Sequence, residues 1–283
     1  MDIPLINDRE LADIGQLLHK LTGISLAPRK KHLVAGRLNK RLRHYGLGNY
    51  NQYYELVTGQ DNAAELQVMV DLLTTNETYF FREPTHFEFL KDTVLPKLRG
   101  GSLVRAWSAA SSSGEEAYTL AMLLSENLGT MPWQILGSDI STDVLAVARN
   151  GIYSLERVRG LSKEMMKKHC LKGVRSQRGT FSIKRKLTNK VEFRQINLNH
   201  SLPSIGSFDI IFLRNVLIYF DMETKQQIVA RVLRALKPGG YFFISHAESL
   251  HNISTEVQMV KPSVFRRSEN AGRIGKEEAA PCP

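Results

Sequence analysis

The feature that most constrains this chain of 283 residues is an alternation of short apolar runs with helical patterns, which begins near Gly100. The apolar runs are LVRAWS, WQILGSD, FDIIFLRN and YFFISH, and helices are predicted between and after them at 115–128, 141–149 and 223–236. Such alternation predicts an α/β fold, with a mostly parallel sheet and helices on both of its faces. Because ligands of these sheets bind outside the carboxyl ends of the strands, candidate site residues are sought there.

The segment before Gly100 is instead predicted to be helical throughout. Its first helix has Asn7 or Asp8 as a cap and an apolar stripe formed by Leu11, Ile14, Leu17, Leu18 and Leu21. A second helix, Arg29–Tyr45, carries Val34, Leu38, Leu42 and Tyr45 on one side and Arg29, Lys30, Arg37, Lys40 and Arg41 on another. That helix is amphipathic with a basic outer face. Further helices are predicted at Tyr50–Val57, Ala63–Leu73 and Pro84–Leu98.

These patterns predict three consecutive regions and a tail. Residues 1–75 form a helical N-terminal domain, residues 76–98 a linker with one helix, and residues 99–267 the α/β domain. Within the α/β domain, TFSIKRKL and KVEFRQI alternate apolar with polar or basic residues, which predicts a small antiparallel β-subdomain inserted at about residues 172–194. The tail, residues 268–283, has no apolar periodicity and is expected to be disordered.

Composition excludes several classes of protein. With 42% hydrophobic and 23% charged residues the chain is expected to fold, and no run reaches the ~18 apolar residues needed to cross a membrane. The N-terminus, MDIPLINDRE, lacks the basic start and apolar run of a signal peptide. The two cysteines, Cys170 and Cys282, are too far apart in sequence for a disulfide framework or a cysteine-based metal site. We therefore expect a cytoplasmic protein that holds no metal and does not insert into membranes.

The formal net charge of +10 is concentrated in two segments. Residues 29–48 hold seven basic and no acidic residues, and residues 157–194 hold thirteen basic and two acidic residues. Two interpretations are open at this point: two solvated faces, or two docking surfaces for an acidic partner, either nucleic acid or an acidic protein.

Three predicted strand ends are candidates for a ligand site. After the first strand, small residues (Ala109, Ala110, Ser111, Ser112 and Ser113) stand where nucleotide-binding folds carry a glycine-rich turn before a helix. The second strand ends at Asp139, where a carboxylate can accept hydrogen bonds from ribose hydroxyl groups. Ser141 is available to cap the next helix, which leaves Asp139 free for a ligand. The third strand ends at Arg214 and Asn215, with Tyr219 one helical turn further on. A plain tight turn and a helix-capping carboxylate are the alternatives for the first two.

The linker TTNETYFFREP threads Asn76, Thr78 and Arg82 through aromatic residues, so that it either lines a cleft between two domains or is simply buried. Two other features are interpreted as structural. LKPGG (Leu236–Gly240) is taken as a turn that closes a helix before another strand, and His246 and Glu248 as packing or capping residues.

Five segments together resemble the chemotaxis receptor glutamate methyltransferases, the CheR family. They are TTNETYFFREP, WSAASSSGEEAYTLA, SDISTDVLAVARNGIY, FDIIFLRNVLIYFD and LKPGGYFFISHAESL, and their order and spacing fit the family over residues 5–267. The resemblance implies a helical N-terminal domain and a Rossmann-like S-adenosylmethionine domain with an inserted β-subdomain. It also implies a cytoplasmic enzyme that is recruited to membrane receptor arrays for sensory adaptation.

The resemblance further implies roles for individual residues. Contacts with the donor S-adenosyl-L-methionine, released as S-adenosyl-L-homocysteine, are implied for Asn76, Thr78, Arg82, Glu116, Asp139, Asn197, Leu198, Arg214 and Asn215. Arg82 and Tyr219 are the catalytic pair, expected nearest the transferred methyl group. The acceptor is a glutamate side chain, which becomes a methyl ester.

The implied protein substrate is the glutamate-rich helical bundle of a chemoreceptor's cytoplasmic domain. The N-terminal basic helix would lie along that bundle, with Arg37, Lys40 and Arg41 steering the docking. In some family members the β-subdomain captures a C-terminal receptor peptide as an added strand. The corresponding loop here, KGVRSQRGTF, lacks the glycine-proline character of those members, so the peptide is kept as an optional partner.

Two other functions stay open from the residues alone. A nucleic-acid methyltransferase fits the net charge, but the chain has no acidic or asparagine-proline base-flipping motif and its aromatic residues are not interleaved with the basic ones. A nucleic-acid partner is therefore not expected. The other function is a non-catalytic module that senses S-adenosylmethionine or its product, and the presence of both Arg82 and Tyr219 argues against it.

Overall fold

The structure of the chain is a computed structural model that describes residues 5–101 and 103–269. The tail that was expected to be disordered lies, from residue 270 onward, outside the described residues. Across the described ranges, no helix combines the length and the apolar character needed to span a membrane.

The N-terminal domain is all-helical, as predicted. Its helices are α1 (Asp8–Thr22), α2 (Lys31–Tyr45), α3 (Tyr50–Thr58) and α4 (Ala63–Leu73). Asn7 caps α1 by accepting the Glu10 N–H at 2.9 Å, and the Glu10 carboxylate accepts the Asn7 N–H in return. The core forms where the apolar stripes predict it, around Leu11, Ile14, Leu18, Val34, Leu38 and Leu42. Tyr45, which was predicted to share the apolar side of α2, is 39% exposed instead.

The linker leads into one continuous helical segment that changes pitch in its middle. It consists of α5 (Pro84–Phe89), a π-helical stretch (Leu90–Val94) and α6 (Leu95–Leu98). The single helix predicted over Pro84–Leu98 therefore exists, with one widened turn. Leu90, Val94 and Leu95 are fully buried, so this segment packs into the core of the α/β domain.

The α/β domain contains ten strands and five helices within the described residues. The strands are β1 (Val104–Ser108), β2 (Trp133–Asp139), β3 (Ile152–Ser154), β4 (Cys170–Lys172), β5 (Thr180–Ile183), β6 (Val191–Gln195), β7 (Phe208–Phe212), β8 (Leu236–Phe243), β9 (Val257–Lys261) and β10 (Val264–Arg267). The helices are α7 (Glu115–Asn127), α8 (Thr142–Asn150), α9 (Lys163–His169), α10 (Arg185–Thr188) and α11 (Met222–Arg234).

Seven strands form the central sheet in the order β6-β2-β1-β7-β8-β10-β9. The pairs from β6 to β8 are parallel, and β10 is antiparallel to both of its neighbours. Along β7, Ile210 and Phe212 belong to one apolar cluster while Ile211 belongs to the other, because successive side chains point to opposite faces of a sheet. Helices cover both faces, as predicted, with α7 in the first cluster and α11 in the second.

The β-subdomain differs from the predicted one in its strands. Its antiparallel sheet has the order β3-β5-β4, and of these strands β3 lies wholly before the predicted range of 172–194, while β4 reaches that range only with Lys172. β6, which was predicted to belong to it, pairs in parallel with β2 in the central sheet. Alternation of apolar and polar residues reports only that one face of a strand is exposed, and an edge strand of the central sheet satisfies that pattern equally well.

A second correction concerns LKPGG (Leu236–Gly240), predicted as a turn between helix and strand. These residues already form the first part of β8, with a shift in register against β7 between Phe208 and Ile210. The shift accommodates Gly239, whose φ of +76° is a left-handed conformation that glycine adopts at little cost.

Candidate active site

A cleft lies where the linker crosses the carboxyl ends of β1, β2 and β7. All ten residues predicted for donor binding and catalysis line it: Asn76, Thr78, Arg82, Glu116, Asp139, Asn197, Leu198, Arg214, Asn215 and Tyr219. The small residues Ala109, Ala110 and Ser112 of the turn after β1 line it as well. The structure therefore brings together side chains that are separated by as many as 143 positions in the sequence.

The turn after β1 is shaped by the close approach of its neighbours. Its backbone is held to the adjacent strand ends, since Ala109 N–H donates to the Phe212 carbonyl and Ser111 N–H to the Ser138 carbonyl, both at 2.8 Å. Gly114, which precedes α7, has a φ of +96°, and a Cβ there would lie 2.9 Å from the Ala148 Cβ. Glycine is thus required at the end of the turn, while alanine and serine suffice where the backbone borders the cleft.

Asp139 is the last residue of β2, and 8% of its surface is exposed. The carboxylate accepts the Ser112 N–H at 2.8 Å and the Ser141 N–H at 3.0 Å. Burial raises the pKa of Asp139, and these N–H groups oppose the rise. The carboxylate therefore joins the turn after β1 to the start of α8 and still faces the cleft.

The predicted cap of α8 is wrong. The Ser141 side chain makes no capping hydrogen bond, and its hydroxyl is buried without a partner among the described residues. Asp71 of α4 caps the helix instead, because its carboxylate accepts from the Thr142 N–H at 2.9 Å and from the Thr142 hydroxyl at 2.6 Å. Helix α4 of the N-terminal domain thus holds the first residue of α8 in place. Sequence spacing does not reveal this contact.

Arg214 is the centre of a buried charged group. Its side chain is 1% exposed and lies between two carboxylates, with Nη1 3.0 Å from Glu116 and Nη2 3.2 Å from Glu83. Nη2 also donates to the Arg82 carbonyl at 2.6 Å. A charged guanidinium beside a central strand needs such partners, and here they come from α7 and from the linker. We refer to Glu116, Asp139 and Arg214, which line the cleft, as its inner wall; Glu83 supports Arg214 from behind that wall.

Glu116 is held in the inner wall by two donors. The Ser108 hydroxyl donates to its Oε1 at 2.7 Å, and Arg214 donates to its Oε2. Burial raises the pKa of Glu116, and Arg214 and Ser108 oppose that rise. The carboxylate is therefore fixed in orientation from both ends before any ligand binds.

Glu83 is a site residue that the sequence analysis missed. Its carboxylate accepts from the Ser245 hydroxyl at 2.8 Å and the His246 N–H at 3.1 Å, in addition to the ion pair with Arg214. Burial acts to raise its pKa, but Arg214, Ser245 and His246 together lower the pKa of Glu83 to about 2. The signal available in the sequence was its position, directly after Arg82 and before the proline that starts α5.

A histidine pair lies behind Glu83. His86 Nε2 is 2.7 Å from the Ser263 Oγ, which is in turn 2.8 Å from His246 Nδ1. Burial, with Arg214 and His246, lowers the pKa of His86 to about 3. Glu83, His86 and His246 have potential ligand atoms within 4.8 Å of one another, yet each is already hydrogen-bonded within the protein. The predicted absence of a metal stays a prediction.

Glu248 fixes the loop after β7 through hydrogen bonds to its backbone. Its carboxylate accepts the N–H groups of Asn215 at 3.1 Å, Leu217 at 2.8 Å and Ser245 at 2.8 Å. Burial raises the pKa of Glu248, and these N–H groups oppose the rise. The capping role expected for Glu248 is therefore what the structure shows, and it fixes the backbone of Asn215, whose φ is +57°.

The opposite side of the cleft is more exposed. Arg82 is half-buried and donates to the Glu77 carbonyl at 2.7 Å, and its guanidinium lies 5.7 Å from the centre of the Tyr79 ring. Tyr219 is half-buried, and Lys30 Nζ lies 5.6 Å from the centre of its ring. Among the described residues, no group hydrogen-bonds to the Tyr219 hydroxyl. We refer to Tyr79, Arg82 and Tyr219 as the mouth of the cleft.

The amide side chains around the cleft connect its walls. Asn197 donates to the Leu21 carbonyl at 2.6 Å, which ties the loop after β6 to the end of α1. Asn215 donates to the Ser245 hydroxyl at 2.7 Å, and the Asn76 carbonyl accepts from the Ser112 hydroxyl at 2.9 Å. Thr78 lines the cleft, and its hydroxyl has no hydrogen bond within the described residues, while Leu198 contributes an apolar side chain to the lining. Of these contacts, the one between Asn197 and Leu21 joins the cleft to the N-terminal domain.

The basic helix α2 is less exposed than its pattern predicts. Arg37 donates to the carbonyls of Leu72 and Thr74, at 3.1 and 2.8 Å. Arg41 pairs with buried Glu65, whose pKa it lowers together with two tyrosine hydroxyls against the effect of burial. Arg37 and Arg41 thus hold the helices of the domain together, while Lys40 alone of the three predicted docking residues is both exposed and free of an ion pair in the described part of the chain.

Comparison with protein families accounts for nearly the whole chain. Residues 9–74 match the model described as "CheR methyltransferase, all-alpha domain", and residues 76–265 match "CheR methyltransferase, SAM binding domain". The boundary between the two matches falls in the linker that crosses the cleft.

Individual relatives are similar along most of their length. The "Chemotaxis protein methyltransferase" of Escherichia coli (strain K12) is 37% identical over 270 residues, which cover 94% of this chain and 93% of the relative. The "Chemotaxis protein methyltransferase 2" of Pseudomonas aeruginosa is 40% identical over 259 residues, covering 90% and 92%.

Proposed function

The chain belongs to the CheR methyltransferase family, and from that premise we propose that it transfers the methyl group of S-adenosyl-L-methionine to glutamate side chains of chemoreceptors. The products would be glutamate methyl esters in the receptor's cytoplasmic helices and S-adenosyl-L-homocysteine. The observation that carries this proposal is the single cleft lined by Asp139, Arg214, Arg82 and Tyr219, at the strand ends where the fold binds its ligand.

The inner wall fits the donor. In nucleotide-binding folds a carboxylate at the end of the second strand accepts hydrogen bonds from ribose hydroxyl groups, and Asp139 occupies that position. The turn after β1 exposes backbone rather than bulky side chains to the cleft, which lets a flat ligand approach closely. Glu116 and Arg214 offer one negative and one positive group to the charged end of an amino acid. S-adenosyl-L-methionine, when bound, supplies a methyl group that its positively charged sulfur already activates.

The mouth fits the acceptor. A glutamate side chain has a reference pKa of about 4.3, so it is ionised at pH 7 and needs no general base. Arg82 can hold a carboxylate of the donor or of the acceptor through two parallel N–H donors. The Tyr219 hydroxyl can donate to one carboxylate oxygen and so aim the other at the methyl carbon, at roughly 3–3.5 Å in a near-attack geometry. The residues of the chain therefore contribute mainly by alignment.

Docking of the receptor would involve both basic segments. On α2, the support rests on Lys40, because Arg37 and Arg41 are engaged inside the N-terminal domain and act as structural supports for this face. In the β-subdomain, β3 and β4 are the edge strands of their sheet, so a C-terminal receptor peptide could pair with either as an added strand. Recruitment of this cytoplasmic enzyme to receptor arrays would follow from these contacts.

Mass spectrometry of soluble chemoreceptor cytoplasmic fragments, incubated with the protein and the donor, tests the proposal directly. We expect a gain of one methyl group on specific glutamate side chains, removed by mild base as expected for an ester. Methylation of RNA or DNA with none on receptor fragments would instead establish a nucleic-acid methyltransferase. Tight calorimetric binding of S-adenosyl-L-homocysteine without any methyl transfer would establish a non-catalytic sensor.

A further inference from the structure

Two guanidinium groups lie against the same aromatic ring at the mouth of the cleft. The Cζ atom of Arg82 is 5.7 Å, and that of Arg159 4.7 Å, from the centre of the Tyr79 ring. Arg82 donates to a backbone carbonyl, whereas Arg159 is exposed and rests only on the ring. Within residues 5–101 and 103–269, no carboxylate forms an ion pair with either arginine. Two neighbouring cations that form no direct ion pair favour an anionic ligand.

The backbone that carries Arg159 is fixed beside the linker. Gly160 has a φ of +83°, and a Cβ at that position would lie 1.8 Å from the Phe80 carbonyl oxygen, so the two chain segments are in close contact. Leu161 is buried, and its N–H donates to the Val158 carbonyl at 2.9 Å to close a tight turn. Arg159 therefore projects from a rigid turn, although its side chain is exposed.

Two acidic side chains that could neutralise Arg159 form no ion pair with it. Glu156, three positions before Arg159, and Glu77, two positions before Tyr79, are both exposed, and neither is paired with Arg159. The Tyr79 ring, which faces the cleft, attracts the guanidinium through its electron-rich face and limits where the side chain can go. The positive charge of Arg159 is thus held at the mouth of the cleft, although it forms no ion pair that would stabilise the fold.

We propose that Arg159 is a specificity-determining residue that pairs with an acidic side chain flanking the methyl-accepting glutamate. The inference rests on the proposed function and adds a second charge requirement to its substrate. Arg82, which lines the cleft, is occupied by the carboxylate of the donor or of the target glutamate. Arg159, against the same ring but outside the lining of the cleft, is left for a second carboxylate on the same receptor segment.

Initial rates on a soluble chemoreceptor cytoplasmic fragment test this pairing. For Arg159→Glu we expect kcat/KM to fall roughly five- to tenfold, mainly through KM, and the rate to become less sensitive to salt, as for an exposed ion pair. Arg159→Lys should keep most of the activity because the charge remains. The matched control is Arg234→Glu, the same charge change on an exposed arginine at the far end of α11, which should leave the rate unchanged.

A fragment with its flanking acidic residues replaced by lysine distinguishes pairing from support of the Tyr79 ring. Recovery of Arg159→Glu on that fragment, with wild-type affinity for S-adenosyl-L-homocysteine by calorimetry, would establish the pairing. Equal losses on acidic and lysine fragments, or weakened binding of S-adenosyl-L-homocysteine, would overturn it. An unmethylated fragment with the wild-type protein would overturn the proposed function and this inference with it, whereas wild-type activity that Arg159→Glu leaves unchanged would overturn this inference alone.

Discussion

The two sides of the cleft differ in how completely their polar groups are used. On the inner wall, both Nη atoms of Arg214 have partners in Glu83, Glu116 and the Arg82 carbonyl, and Asp139 accepts two backbone N–H groups. At the mouth, Arg82 has one backbone partner, and the Tyr219 hydroxyl has none among the described residues. The charged groups of the first side are buried and paired within the protein, whereas the second side is half-exposed and free to bind.

This difference separates two tasks of one site. A small donor is best bound by groups that are already oriented, because no reorganisation is needed when it enters. A large protein substrate arrives from outside and must find side chains that are not yet committed to partners. Damage to the inner wall should therefore affect both stability and donor binding, whereas damage to the mouth should affect methyl transfer and leave the fold intact.

The largest effect is expected from Arg214→Met. Removing the guanidinium leaves the carboxylates of Glu83 and Glu116 buried without their partner, which should lower the free energy of unfolding by about 3–5 kcal/mol. Binding of S-adenosyl-L-homocysteine should be lost as well. Urea unfolding and calorimetry measure the two effects, with the exposed Arg234→Met as the control. A loss of stability below about 1 kcal/mol would show that the charged group is not what holds the inner wall together.

Arg82→Ala should separate the two sides. Its side chain makes a single backbone hydrogen bond and is half-buried, so the free energy of unfolding should change by less than about 1 kcal/mol. Methyl transfer should nevertheless fall about 100-fold in kcat/KM, as for the loss of one aligned donor in an active site. Arg82→Lys keeps the charge but not the paired N–H geometry and should be intermediate. Full activity of Arg82→Ala would remove its catalytic role.

The sequence predicts well those features that depend on residues close together in the chain. Asp139, Arg214 and Asn215 follow directly from strands, so the rule that ligands bind at the carboxyl ends of strands places them correctly. Helix positions in the N-terminal domain follow from apolar spacing for the same local reason. Each of these inferences uses residues that are neighbours in the chain.

Pairing between distant residues was beyond the reach of the sequence. Glu83 and Arg214 are 131 positions apart, and nothing in either segment indicates that the linker carboxylate reaches the strand end. Arg41 sits on a helix that reads as amphipathic, so its inward ion pair with Glu65 contradicts the local pattern. The strand pattern of β6 is likewise shared by an edge strand and a hairpin, and only the three-dimensional pairing distinguishes them.

Acid should lower the free energy of unfolding of the protein through His86. Its pKa in the folded protein is about 3, so below pH 6.5 the unfolded chain binds a proton that the folded protein does not. Stability attributable to this residue should fall as the pH falls, by about 1 kcal/mol between pH 6.5 and 5.5. The measurement is the difference in urea unfolding between wild type and His86→Gln at each pH. Asp139, Glu116 and Glu248, whose pKa values burial raises, act in the opposite direction but cancel in this difference.

A smaller effect is expected where the receptor docks. Lys40→Glu should lower the rate on receptor fragments a few-fold at low salt and leave the affinity for S-adenosyl-L-homocysteine unchanged, because Lys40 is exposed on α2. Arg41→Glu is not equivalent: it places a second carboxylate beside buried Glu65 and should destabilise the helical domain. Equal behaviour of the two variants in unfolding experiments would contradict the distinction between an exposed cation and an internal one.

The smallest effect should be the response of methyl transfer to alkali. Since the attacking glutamate is ionised well below neutrality and no base is assigned at the mouth, log kcat/KM should change by less than about 0.3 between pH 7 and pH 9. A rise with unit slope across that range would mean that a proton must be removed before transfer, so that a base has been overlooked. Repeating the profile with Tyr219→Phe identifies the source of any slope. If the slope disappears, the hydroxyl is titrating, and the mouth takes part in the chemistry beyond alignment.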